Sequence, residues 1–201
     1  MKIVFDNIVF GLQKSGGVST LWYELLKRFF PFEKNIYFLD YKQGNDNLYR
    51  KTLNISERLI LNKGENRNIL KYRYSNPKLT NFKAPFIFHS SYYRYCKNSN
   101  AINVTIVHDF TYEYYTRGIA KFVHSFQKGR AIKNSDGIIC ISENTKKDLL
   151  KFYPNTPLDK ITVIYNGVSS DYFTIDKTKP IGFYDERFKK LEDKKNVIFI
   201  G

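Results

Sequence analysis

The stretch that decides the fold runs from residue 10 to residue 30 and reads FGLQKSGGVSTLWYELLKRFF. A glycine pair, Gly16 and Gly17, separates a short apolar run from a helical pattern that ends at Pro31. Apolar residues recur there at steps of three and four, which places them on one helix face: Val18, Leu21, Trp22, Leu25, Leu26 and Phe29. The stretch therefore predicts a strand, a glycine turn and an amphipathic helix.

Short β-branched and aromatic runs alternate with helical patterns along the rest of the chain, an order typical of parallel sheets covered by helices. Strands are predicted at residues 2–5, 36–39, 85–89, 103–107, 137–141 and 161–165, with residues 8–10 prolonging the first after a bend. Further helices are predicted at 117–133 and at 142–153, where Ser142 is the N-cap. The pattern predicts an α/β, Rossmann-like fold, with a mainly parallel sheet and helices on both faces.

The domain organisation is predicted from two less regular regions. Residues 42–81 are polar and weakly periodic, which is typical of a variable surface segment or of an ordered loop near a binding cleft. One short strand is predicted near 59–61. Residues 1–168 are predicted to form one domain and residues 169–195 a linker region. The final run, NVIFIG at 196–201, has the composition of a buried strand, which either returns to the first sheet or opens a second domain.

Composition says more about the cellular compartment of the protein than about its activity. The 201 residues carry 33 Lys and Arg against 19 Asp and Glu, a net charge of +14 that attracts polyanions, anionic membranes or phosphorylated substrates alike. Cys96 and Cys140 offer neither a disulfide framework nor metal-ligand spacing, which favours a reducing, cytoplasmic setting. Asp6 interrupts any signal peptide, and no apolar run approaches the roughly 20 residues of a membrane span.

Four stretches carry a family resemblance. They are GGVSTLWYELLKRF, TIVHDFTYEYY, KGRAIKNSDGIICISENTKKDLLKFYP and VIYNGV. In this order and spacing the chain resembles the N-terminal half of a retaining glycosyltransferase of the GT-B fold, family 4. The resemblance covers most of residues 1–168, and residues 42–81 match poorly.

The resemblance implies two Rossmann-like domains facing each other across a cleft, the N-terminal one holding the acceptor and the C-terminal one the nucleotide sugar. NVIFIG is then the first strand of a missing C-terminal domain, and the chain alone is expected to be inactive. The implied reaction is hexosyltransferase-type transfer, with retention, from a nucleotide-diphosphate sugar to a glycan or lipid-linked acceptor in cell-surface polysaccharide synthesis. No Asp-x-Asp motif is present, so neither a metal nor a cofactor is expected.

His108 is the candidate catalytic residue. It follows the predicted strand NVTIV, and open α/β sheets bind ligands at the carboxyl ends of their strands. The resemblance implies that it contacts the transferred sugar and supplies a hydrogen bond at the reacting centre without being a nucleophile. From the residues alone, a histidine packed against neighbouring loops is the alternative.

Gly16 and Gly17 are the candidate donor-phosphate-binding residues. Glycine permits a close approach of backbone N–H groups to a diphosphate at a helix N-terminus, where the helix dipole favours an anion. The GxGxxG dinucleotide motif is absent, which argues against a nicotinamide site. A plain strand-to-helix turn is the alternative.

Acceptor-binding candidates follow two predicted strands. His89, Tyr92 and Arg94 combine aromatic faces with a cation, as a sugar or an anionic acceptor requires, although a tyrosine-rich surface loop fits as well. The second group follows His108 and consists of Asp109, Tyr112 and Glu113. Asp109 is expected to cap the turn first and to form the site second.

The predicted helix 117–133 carries no acidic residue. It has five cationic residues, namely Arg117, Lys121, Lys128, Arg130 and Lys133. A basic amphipathic helix is able to lie on an anionic membrane, so peripheral contact with the inner membrane face is a hypothesis. A solvated charged face is the alternative.

Two other functions fit parts of the sequence. A basic nucleic-acid-binding α/β module would explain the charge and the many tyrosines. However, no helix-turn-helix, RRM, KH or zinc pattern is present and the cations are spread along the chain, so no nucleic-acid partner is expected. A GT-B relative such as a sugar-nucleotide epimerase or a phosphorylase has no specific support.

Overall fold

The computed structural model describes residues 1–62 and 69–168, and only the backbone at 31–33. The strands of this part are β1 (Lys2–Asp6), β2 (Ile36–Leu39), β3 (Phe86–Ser90), β4 (Ala101–Val107), β5 (Gly137–Cys140) and β6 (Ile161–Val163). The α-helices are α1 (Ile8–Leu12), α2 (Gly17–Phe29), α3 (Ile69–Tyr74), α4 (Thr111–Tyr115), α5 (Gly118–Lys133) and α6 (Glu143–Phe152). Short 3₁₀ turns occupy Phe30–Asn35, Lys42–Asp46, Arg50–Thr52, Glu57–Leu59 and Leu158–Lys160.

All strand pairs of the described sheet are parallel, in the order β2-β1-β3-β4-β5-β6. The chain moves outward from β1 to β2, then crosses back to place β3 on the other side of β1. The strand order therefore reverses between β1 and β3, which is the topological switch point of an open α/β sheet. The predicted α/β, Rossmann-like fold is confirmed.

The core lies on both faces of the sheet because successive side chains of a strand point to opposite faces. On β1, Phe5 packs in a cluster with Trp22 and Leu26 of α2, whereas its neighbour Val4 packs with Phe86 on the other face. A third cluster, containing Val107, Phe110, Ile132, Ile138, Cys140, Leu149 and Ile161, holds α5 and α6 on the sheet.

Two local predictions were wrong. Residues 8–10 do not prolong β1; they form α1, with Ile8, Val9 and Phe10 all buried. Three consecutive buried residues fit a short buried helix as well as a strand, and periodicity does not separate the two. Near residue 60 the structure has a 3₁₀ turn and one parallel bridge between Phe38 and Ile60 instead of a strand.

Helix α6 begins as predicted, because the backbone N–H of Thr145 donates to Ser142 Oγ at 3.1 Å. Helix α5 has the predicted length, but its apolar face points outward. Ile119, Phe122 and Phe126 are exposed by 83%, 71% and 57%, whereas Lys128 is fully buried. Lys128 was expected on a solvated or membrane-facing surface, and it is buried because its ammonium donates to the Asp109 carbonyl and to Glu113.

Residues Met1–Asn166 form one compact unit. The predicted linker at 169–195 and the predicted strand at 196–201 lie outside the described residues, so these domain boundaries stay a prediction.

Candidate active site

The carboxyl ends of β1, β3 and β4 lie side by side at one edge of the sheet. Asn7 follows β1, Ser91 follows β3 and His108 follows β4. Parallel neighbours are about 4.8 Å apart, so about 10 Å separates the end of β1 from that of β4. Because this edge contains the switch point, it is the candidate active site.

His108 is half-buried and follows the fully buried Val107. Burial lowers the pKa of His108 below its ordinary 6.5, Asp109 opposes that shift, and Lys128 adds to it. The imidazole is therefore neutral at pH 7, with one nitrogen that donates and one that accepts. Among the described residues none hydrogen-bonds to the ring, which leaves both nitrogens to a ligand.

The buried ammonium of Lys128 fixes the loop after His108. It donates to the carbonyl of Asp109 and to Glu113 Oε2, both at 2.8 Å. Ser125 Oγ donates to the other carboxylate oxygen at 2.9 Å. Burial alone would raise the pKa of Glu113, but the nearby His124, whose Nδ1 lies 3.9 Å from Oε1, together with the hydrogen bond and the charge of Lys128, lowers it to about 2. Glu113 is thus a buried anion that holds α4 to α5.

The other candidates of this loop are exposed. The Asp109 carboxylate accepts a hydrogen bond from the Thr111 N–H at 3.0 Å, so it caps the turn into α4. Tyr112 is 39% exposed and stacks on His124 with 4.0 Å between ring centroids. Among the described residues none hydrogen-bonds to its hydroxyl, which leaves that group available beside the site.

The two glycines at the start of α2 differ in their local geometry. Gly16 is the N-cap with φ +157° and ψ 166°, a conformation that essentially only glycine adopts, and a Cβ there would lie 2.7 Å from Gln13 Oε1. At Gly17 the φ is not positive, and a Cβ would meet nothing within 4 Å. Backbone geometry therefore explains the glycine at 16 and not the one at 17.

The amino end of α2 faces the site edge. Trp22 Nε1 donates to Asn7 Oδ1 at 2.8 Å, which ties the helix to the end of β1. Gly17 lies five residues earlier, about 8 Å further along the helix axis. The N-cap offers no side chain, and no acidic residue lies in the first turn, so the first N–H groups are free to meet an anion.

The switch point itself is filled by a buried ion pair. Arg94 Nη1 lies 3.1 Å from Asp6 Oδ1 and donates to the Tyr41 hydroxyl at 2.7 Å. Ser90 Oγ donates to Asp6 Oδ2 at 2.8 Å. Burial raises the pKa of Asp6, and the Arg94 charge opposes that shift. Arg94, an acceptor candidate, is here 3% exposed and joins β1, β2 and β3 at their carboxyl ends.

His89 lies inside the core, 8% exposed, on the face covered by α2. Its ring meets the edge of Trp22 at 5.1 Å between centroids and lies 6.0 Å from Phe5. Burial lowers its pKa to about 4, so the ring is neutral. Tyr92 lies elsewhere, half-buried, with its hydroxyl accepting from Arg73 Nη2 at 2.9 Å.

The fold thus brings His108 and the α2 N-terminus to one edge, and separates His89 from that edge by burial. Sequence reasoning missed the Asp6–Arg94 pair, which spans 88 positions, and the role of Lys128. The sequence contains no signal for the Asp6–Arg94 pair. For Lys128 the one available signal was its position on a helix without acidic residues, after Phe122 and Phe126.

In the described residues no group of three His, Cys, Asp or Glu side chains is placed to hold a metal ion. Cys96 and Cys140 are both free and buried. None of the described helices is long and apolar enough to cross a membrane.

Comparison with known proteins gives one informative result. No curated protein matches the chain. Residues 15–172, most of the sequence, match the sequence model of glycosyltransferase family 4. The matched range includes both the α2 glycines and His108. The chain therefore belongs to glycosyltransferase family 4.

Proposed function

We propose that this chain is the acceptor-side half of a retaining GT-B glycosyltransferase. It transfers a hexose from a nucleotide-diphosphate sugar to a glycan or lipid-linked acceptor, in cell-surface polysaccharide synthesis. A C-terminal domain supplies the nucleotide pocket. The observation that carries the proposal is the neutral imidazole of His108, to which no described residue hydrogen-bonds, at the carboxyl end of a central strand and on the same edge as the α2 N-terminus.

The chemistry assigned to this edge is a displacement at the anomeric carbon. The bond from that carbon to the diphosphate breaks, and its electron pair leaves on the diphosphate oxygen. The acceptor hydroxyl forms the new bond on the same face, and its proton passes to the departing oxygen. The N–H groups after Gly16 stabilise the developing phosphate charge, and His108 hydrogen-bonds the sugar.

The test is transfer by the full-length gene product, with product configuration read from the anomeric proton coupling in NMR. We expect retention, and a His108→Ala loss of about 10²-fold in kcat, as for other preorganised hydrogen bonds. His108→Gln keeps a donor and an acceptor and should lose less. Inverted product, or unchanged turnover in His108→Ala, would refute the proposal.

We also propose that α5 contacts an anionic membrane surface. Its first turn exposes Ile119 beside the exposed Arg117, on a helix without acidic residues, which suits acyl chains below anionic headgroups. Ile119→Glu should reduce sedimentation with anionic vesicles about tenfold or more. Leu158→Glu, at a side chain 63% exposed elsewhere, is the matched control. Equal binding to neutral and anionic vesicles would refute the proposed contact of α5 with an anionic membrane.

A further inference from the structure

A cavity of about 140 Å³ lies between α3 and α5, apart from His108 and the α2 glycines. Its walls are largely aromatic, with Tyr74, Tyr93, Tyr95, Phe122 and Phe126 among them. Arg73, Arg130 and Gln127 supply polar groups, and none of the described residues that line it carries a carboxylate. A concave, aromatic-walled space with few polar groups is the usual form of a small-molecule site.

Two buried polar atoms at this cavity lack hydrogen-bond partners among the described residues. They are Arg73 Nε, a donor, and Gln127 Oε1, an acceptor. Both side chains are otherwise held, since Gln127 Nε2 donates to the Arg73 carbonyl at 2.6 Å and Arg73 Nη2 to the Tyr92 hydroxyl at 2.9 Å. Buried polar atoms are rarely left unsatisfied, and a ligand hydroxyl both accepts and donates.

The charge of the cavity is positive. Arg73 lies over the Tyr92 ring, 4.9 Å from its centroid, and Arg130 lies 5.6 Å from the Phe126 centroid. Arg130 Nη2 also donates to the Tyr95 hydroxyl at 3.3 Å. Two guanidinium groups that face no carboxylate within residues 1–62 and 69–168 favour an anionic ligand.

The size of the cavity sets the remaining constraint. An apolar cavity of about 150 Å³ holds one benzene molecule, so this volume admits a single six-membered ring. A pyranose ring offers C–H faces to aromatic walls and hydroxyls to Arg73 and Gln127.

We propose that this cavity binds one acidic sugar unit of the acceptor, a pyranose that carries a carboxylate or phosphate group. The ring packs on Phe122 and Phe126, a ring hydroxyl joins Arg73 Nε to Gln127 Oε1, and Arg130 pairs with the anionic substituent. The assignment rests on the proposed transfer function, because it names the acceptor class.

Binding is tested without turnover, by saturation-transfer NMR and titration of the protein with four probes. These are methyl glucuronide, glucose 6-phosphate, neutral methyl glucoside and inorganic phosphate. At least one of the two acidic sugars should bind about tenfold or more tightly than the glucoside, and the pair shows whether carboxylate or phosphate is preferred. Arg130→Gln should lower that affinity about tenfold, whereas Lys133→Gln, an exposed cation on the same helix, should not change it.

The outcomes separate this assignment from the transfer function. Equal binding of glucoside and acidic sugars, or no effect of Arg130→Gln, overturns the cavity assignment while the His108 test stands on its own. If inorganic phosphate binds as tightly as glucose 6-phosphate, the sugar ring contributes nothing to affinity, and the proposed packing of the ring on Phe122 and Phe126 is refuted. Acidic-sugar binding that Arg130→Gln weakens, together with unchanged turnover in His108→Ala, supports the cavity and refutes the transfer mechanism.

Discussion

The ammonium of Lys128 lies 2.8 Å from Glu113 Oε2, and the Lys128 side chain exposes no surface at all. This ion pair joins α5 to α4, the short helix that follows His108. Lys128→Met should destabilise the protein by about 3–5 kcal/mol, because it leaves a buried carboxylate without its cation. The free energy of unfolding in urea measures the effect.

The matched control for this pair is the double variant Lys128→Met/Glu113→Leu. It removes both charges of this pair and leaves neither buried alone, so it should recover much of the lost stability. A double variant no more stable than the single one would contradict the assigned coupling.

The Asp6–Arg94 pair at the switch point gives a second prediction. Their side chains are exposed by 0% and 3%. Arg94→Met should therefore cost about 3–5 kcal/mol of unfolding free energy. The exposed pair between Arg28 and Glu24, at 2.8 Å, is the control, and Arg28→Met should cost no more than about 0.5 kcal/mol. Similar losses in the two variants would show that burial does not set the contribution of the Arg94 pair.

These two pairs mark the limit of what the sequence could predict. Strand alternation and the helical pattern of α2 depend on neighbouring residues, so the parallel sheet and the place of His108 at a strand end were predictable. Lys128 reaches Glu113 across 15 positions and Arg94 reaches Asp6 across 88. Contacts of that separation leave no periodic signal.

The orientation of α5 was unpredictable for the same reason. Four of its apolar residues form a regular stripe, which ordinarily faces the core, namely Ile119, Phe122, Val123 and Phe126. Here the buried face instead includes His124, Gln127 and Lys128. Lys128 points inward because the Asp109 carbonyl, in the preceding loop, and the Glu113 carboxylate, on α4, both accept its hydrogen bonds.

His89 gives a pH prediction. Its pKa is about 4 in the folded protein and about 6.5 when exposed, so the unfolded chain binds an additional proton between these values. Stability should therefore fall as pH falls from 6.5 toward 4, by up to about 3 kcal/mol from this residue. Urea unfolding at a series of pH values measures the slope.

His89→Leu removes the titrating group and keeps an apolar side chain against Phe5 and Trp22. Whatever its effect at pH 7, the decline between pH 6.5 and 4 should become smaller in this variant. An unchanged decline would show that His89 does not titrate from the core, and would favour an accessible ring of the kind that acceptor binding needs.

Gly16 and Gly17 separate backbone geometry from phosphate binding. At Gly16, alanine meets both an unfavourable φ of +157° and Gln13 Oε1 at 2.7 Å, so Gly16→Ala should cost about 1–2 kcal/mol of stability. At Gly17 the added methyl meets nothing within 4 Å, and alanine should stabilise the first turn of α2 by up to about 1 kcal/mol.

The hypothesis that the donor phosphates bind at this turn predicts a separate effect of Gly17→Ala on donor binding. A diphosphate that contacts the N–H groups of this turn approaches the Cα closely, so the methyl group should raise KM for the nucleotide sugar although the fold is more stable. Thermal unfolding and donor titration of the full-length gene product measure the two quantities separately. A Gly17→Ala variant with raised stability and unchanged donor KM would mean that the phosphates bind elsewhere, because nothing else in the described structure excludes a side chain at this position.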